Sequence, residues 1–210
     1  MPAKITCPAE IEKTSFDIVR SLIEQGGYTV NEFQVVTRVV HATADTEFAK
    51  TMVFSEGAVE AGIAAVRRGC NIITDVKMLM AGISPDRPGG GDVTRCFISD
   101  PDVAADAKKG GATRAVAAMR KAAPMMEGCI VAVGNAPTAL FELIELIKAG
   151  KANPALVVGV PVGFVGAAES KEALIEELKD TPYITCRGRK GGSPVGASVL
   201  NAIIKLVNNG

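Results

Sequence analysis

From residue 70 onward, short runs of β-branched and other apolar residues alternate with longer stretches whose apolar positions recur every three or four residues. The short runs "CNIITDV" (70–76), "VTRCFIS" (93–99), "CIVAVGN" (129–135), "ALVVGVPV" (155–162) and "YITCRGR" (183–189) have the length and continuous apolar character of strands buried on both faces. The longer stretches read as helices over 56–69, from Pro101 to about Lys121, and over 136–150, 167–180 and 193–209. Strands separated by helices need crossover connections. The pattern therefore predicts an α/β fold: one domain over 1–210, with a mainly parallel sheet of about five or six strands and helices on both faces.

Two more helices precede this alternation. The segment 7–27 has Thr6 as a cap, Pro8 in the first turn and Gly26–Gly27 as a stop. In "NEFQVVTRVVHATA" (31–44), Val35, Val36, Val39 and Val40 fit one helical face, whereas strict strand alternation fails. On that helix Arg38 and His41 are neighbours, one turn apart.

Composition narrows the chemistry. The formal net charge is zero and aromatics make up 4% of the chain, with no Trp. Neither the basic field nor the stacking platforms of a nucleic-acid binder are present, so no nucleic-acid partner is expected. No apolar run reaches the length of about 20 residues that a membrane helix needs. Five scattered cysteines without a CxxC pair, and no signal-peptide pattern, predict a reduced, cytoplasmic protein. One histidine and no paired cysteines make a dedicated metal site unexpected.

In parallel α/β sheets, ligands bind outside the carboxyl ends of the strands. The loops "TDVKML", "SDPDVA", "GNAPTA", "GVPVGFVGAAES" and "RGRKGGSPVG" are the candidates, but none carries a dinucleotide or Walker fingerprint. Exposed amides beside Arg187, Arg189 and Lys190 form either an anion site or a solvated charged turn. No serine has the context of an activated nucleophile. His41 is the one side chain suited to proton transfer near neutrality, with Asp45 as a possible orienting carboxylate. A structural, hydrogen-bonded histidine explains the residue equally well from its local context.

At these same residues the chain resembles the precorrin-8X methylmutase family. The resemblance runs through "IEKTSFDIV", "RVVHATAD", "TDVKMLMAGI", "GGATRAVAAM", "IVAVGNAPTALFELIEL", "GVPVGFVGAAESKEAL" and "RGRKGGSPVGASVLNAI". It implies a homodimeric isomerase of cobalamin biosynthesis acting on a corrin-type tetrapyrrole, without a cofactor. The implied reaction moves a methyl group from the α carbon of ring C to a neighbouring β carbon. By the same resemblance His41 is catalytic, Ser15 and Arg38 contact substrate, and Arg114 is a further substrate contact. A methyl shift of this kind needs one positioned acid rather than a nucleophile, in keeping with the absent triad. A corrinoid-binding carrier that retains the product without turnover is the alternative.

Overall fold

The computed structural model describes residues 6–86 and 94–209. Helices α1 (Pro8–Leu22) and α2 (Val30–Thr43) lead through a short α3 (Phe48–Thr51) into β1 (Met52–Phe54). Then follow α4 (Ala58–Arg67), β2 (Ile72–Thr74), α5 (Lys77–Ala81), β3 (Thr94–Arg95), α6 (Pro101–Gly110) and α7 (Arg114–Ala122). The chain ends with β4 (Ile130–Val133), α8 (Pro137–Lys148), β5 (Leu156–Gly159), α9 (Ala167–Glu177), β6 (Tyr183–Cys186) and α10 (Ser193–Asn209). The sheet order is β1-β6-β5-β4-β2-β3, parallel throughout except where β1 runs antiparallel to β6 at one edge.

The strands bury both faces, and residue parity decides which layer each side chain joins. Ile72, Ile130, Ala132, Leu156, Val158 and Ile184 pack under α2, α4 and α10. Ile73, Val131, Val133 and Val157 point the other way, under α7, α8 and α9. Sheet and both helical layers agree with the expected α/β architecture.

The short helices α3 and α5 lie outside the expected pattern, β3 keeps only Thr94–Arg95 of the run 93–99, and three further departures have a local physical reason. The edge strand β1 has no counterpart among the five sequence-predicted strands, since three residues directly after a helical turn show no period of their own. Pairing with β6 makes it a strand. The helix expected from Pro101 to Lys121 is two helices, because Gly111 adopts a left-handed conformation (φ 63°) and closes α6. Cys7, rather than Thr6, is the cap residue of α1, and its side chain makes no capping bond. Val93, within the run 93–99 expected as the second strand, lies outside the described residues.

Two local devices shape the carboxyl edge of the sheet. Asp75, wholly buried at the end of β2, accepts the backbone N–H groups of Gly134 (3.0 Å), Asn135 (2.8 Å) and Ala136 (2.8 Å). It thus staples β2 to the loop that opens α8. Burial pushes the Asp75 carboxyl above its usual range, and the three amides oppose that push. Gly191 (φ 155°) passes so close to the next loop that a Cβ there would lie 2.4 Å from the Val160 carbonyl oxygen. Only glycine fits.

Asp75→Asn turns an acceptor toward three donors into a group that is itself half donor. The expected loss is about 1–3 kcal/mol of stability, the range for an unpaired buried polar group. Urea unfolding measures it as a lowered midpoint with an unchanged slope.

Candidate active site

Helix α2 owes its start to a capping box. Thr29 accepts from the Glu32 amide while the Glu32 carboxylate accepts from the Thr29 amide. Its buried stripe of Val35, Val36, Val39 and Val40 anchors it in the core, chiefly against α10. The helix ends just beyond His41 at Ala44, which takes a left-handed conformation (φ 53°) and donates its N–H to the Val40 carbonyl. His41 therefore stands in the last turn of a rigid, well-anchored helix.

The neighbouring α1 is held more loosely, with Val19 as its one buried residue. It brings two consecutive side chains onto His41. Ser15 Oγ lies 2.9 Å from Nδ1, and the Phe16 ring stacks on the imidazole with centroids 4.6 Å apart and planes 11° apart. One contact fixes the ring in its plane and the other fixes it from above. The serine hydroxyl donates to a neutral Nδ1 or accepts from a protonated one, so it serves both charge states. Nε2 has no hydrogen-bond partner among the described residues and is the nitrogen left for a ligand. Asp45 is not the orienting group: it accepts from Lys190 Nζ at 2.6 Å, which holds its carboxyl below the usual range.

His41 faces two concavities. One, of about 630 Å³, is mainly apolar and runs between α1 and α2, past Ile11, Ser15, Ile18, Leu22 and Ala44. The other, of about 420 Å³, lies between α2, α5 and α10 beside Arg38, Met78, Ser193 and Asn201. Each is within the size range of small-molecule sites, and His41 is where they meet. Met78 and Ser193 come from the loops "TDVKML" and "RGRKGGSPVG", so two of the five loops expected to reach a ligand line this region.

Of the expected site residues, Ser15, Arg38 and His41 come together. Arg38 is one turn before His41 and pairs with Glu12 Oε1 at 3.1 Å. Arg114 does not join them. It opens α7, whose buried side chains pack against the opposite face of the sheet. The "RGRK" loop is largely committed elsewhere: Arg187 pairs with Glu172, and Lys190 with Asp45 and Glu47. Its shape is braced from below by buried Lys171, which donates to the Lys190 carbonyl and faces the Cys186 thiol at 3.7 Å. Burial lowers the Lys171 pKa and raises that of Cys186. Sequence reasoning missed Phe16 and Glu12, although both lie on the helix of Ser15, at the following residue and three residues before it.

A profile described as precorrin-8X methylmutase matches residues 10–206. The chain belongs to the precorrin-8X methylmutase family. It is 45% identical to a cobalt-precorrin-8 methylmutase of Priestia megaterium, over 97% of this chain and 90% of that protein. It is 39% identical to a precorrin-8X methylmutase of Pseudomonas aeruginosa, over 92% and 93% respectively. The crystal structure of a Thermus thermophilus precorrin-8X methylmutase superposes with a TM-score of 0.88 at 43% identity, covering 96% of this chain and 97% of that one.

The stacked geometry has a spectroscopic consequence. With one histidine in the chain, the imidazole Cε1 proton gives a single NMR signal, shifted upfield by the Phe16 ring. Phe16→Leu should move that signal downfield, and Phe16→Tyr should leave it in place. Loss of the stack should also lower stability by about 0.5–1.5 kcal/mol.

Proposed function

We propose that this chain is an intramolecular methyl transferase of cobalamin biosynthesis. It converts precorrin-8X, or its cobalt-bearing counterpart, to hydrogenobyrinic or cobyrinic acid by moving a methyl group between adjacent carbons of ring C. The carrying observation is His41, held in plane by Ser15 and from above by Phe16, with Nε2 open at the junction of two concavities. A proton shared from Nε2 to a ring nitrogen draws electron density from the conjugated system and favours methyl migration. The bond to the departing carbon and the bond to the receiving carbon exchange within one molecule, so no cofactor is required. Ser15 positions the acid, and Arg38 pairs a peripheral carboxylate of the substrate.

The working unit in this reading is a homodimer. Its support is α1, where Ile11, Ile18 and Leu22 are 48%, 55% and 64% exposed beside the apolar concavity, and exposed apolar patches of this kind mark interaction surfaces. Arg114, on the far layer of its own chain, then acts on the site of the second copy. No helix among the described residues is long and apolar enough to cross a membrane. A reducing cytoplasm suits the five free cysteines.

The direct test is turnover, followed by the visible spectrum, with metal-free and cobalt-loaded substrate. Wild-type protein should convert at least one of them, and a protein that binds both but converts neither is a carrier. His41→Ala should lower kcat by roughly 10²–10⁴, as removal of a general acid does. Ser15→Ala should cost about tenfold, the value of one positioning hydrogen bond.

A mixing experiment tests the dimer and Arg114 together. His41→Ala and Arg114→Ala chains, each weak alone, should regain about a quarter of wild-type activity when co-assembled at equal amounts, because half the random dimers then carry one intact site. No regain places Arg114 outside the partner's site.

A further inference from the structure

One cationic cluster beside the site has more charge than its own carboxylates balance. Arg20 on α1, Arg38 on α2 and Lys205 on α10 bring their charges to 5.8, 5.7 and 5.7 Å from the centre of the Phe16 ring. Two carboxylates answer these three cations. Asp17 meets Arg20 at 3.4 Å, and the single Oε1 atom of Glu12 meets both Arg38 (3.1 Å) and Lys205 (3.2 Å). A small cavity of about 90 Å³ opens between the three helices, beside Phe16, Gln34 and Thr37. That volume equals roughly three liquid waters, enough for one carboxylate group. Arg38 borders both this cavity and the concavity under His41, so a large ligand seated on His41 reaches the cluster by extending one arm past Arg38.

Glu12 shows that the cluster accepts a carboxylate. Lys205, and then Arg38, hold its carboxyl below the usual range, so it is charged when it sits there. Its grip is weak, however. Glu12 is 44% exposed and Lys205 54%, and ion pairs of that exposure contribute little and are screened by salt. An occupant held so lightly yields to a ligand that is anchored elsewhere.

We propose that Arg38 and Lys205, with Arg20 at the rim, form a subsite for one peripheral carboxylate arm of the substrate, and that Glu12 occupies this subsite in the free protein. The inference rests on the proposed function for the nature of the ligand. Binding exchanges one carboxylate for another: Glu12 swings to solvent, and the substrate arm takes both cations. Such an internal competitor lowers affinity for the true ligand more than for one whose arm is missing; what it provides is a partner for both cations while the subsite is empty.

The test is titration of wild type, Glu12→Gln and Lys205→Met with hydrogenobyrinic acid, followed by its absorption, in parallel with the same compound as its methyl esters. Glu12→Gln removes the competitor and should bind the acid about two- to fivefold more tightly. Lys205→Met should bind it more weakly by a similar factor, and added salt should reduce the difference between the two variants. Neither substitution should change the affinity for the esters. A Glu12→Gln protein that binds the acid no better than wild type, or a Lys205→Met protein that binds it equally well, overturns the subsite. Wild type that fails to bind the acid at all would instead count against the proposed function, which keeps the two failures apart.

Discussion

Everything in this molecule follows from strands too apolar to leave either face in water. Ile72 and Ile73, or Val157 and Val158, are adjacent residues that point into different layers, and all four are inaccessible to solvent. A sheet of that kind must be covered twice, and each covering helix delivers its preceding or following loop to an edge. Asp75 then bridges the crevice between β2 and β4 by accepting three backbone N–H groups. In many open α/β sheets that crevice receives the ligand. Among the described residues, two concavities open beside α2, and Met78 from the loop after β2 lines one of them.

The candidate site divides its labour between a rigid wall and a lighter one. Helix α2 is packed into the core against α10 along its valine stripe, which fixes His41 and Arg38. Helix α1 contributes Ser15, Phe16 and Glu12 while keeping most of its surface outside the core. With His41 on the rigid wall, its position is kept when the lighter wall moves. The same arrangement leaves Ile11, Ile18 and Leu22 exposed along the apolar concavity beside His41.

Charge is distributed with the same economy. Lys190 ties the "RGRK" loop to the turn after α2 through Asp45 and Glu47, and Lys171 supports that loop from within. Sequence alone presented the loop as a cationic candidate for anion binding. In the fold, Arg187 and Lys190 are matched by acidic partners and Arg189 lies over the Phe164 ring, while three further cations gather around Phe16.

Periodicity and composition determined the fold class, most element boundaries and the choice of helix over strand for residues 31–44, because burial on a regular element repeats with that element's own period. The long family-like segments were equally legible, and with them His41, Ser15 and Arg38 as candidates. Tertiary structure alone decided that Ser15 meets His41 across 26 residues of separation with Phe16 stacked beside it, that Asp45 turns away to Lys190, and that Arg114 stands on the other layer. Those outcomes depend on the angle and height at which one helix crosses another, and on which charges that crossing brings within reach. No local pattern encodes either, since packing between helices is set by the whole buried interface rather than by the residues that do the chemistry.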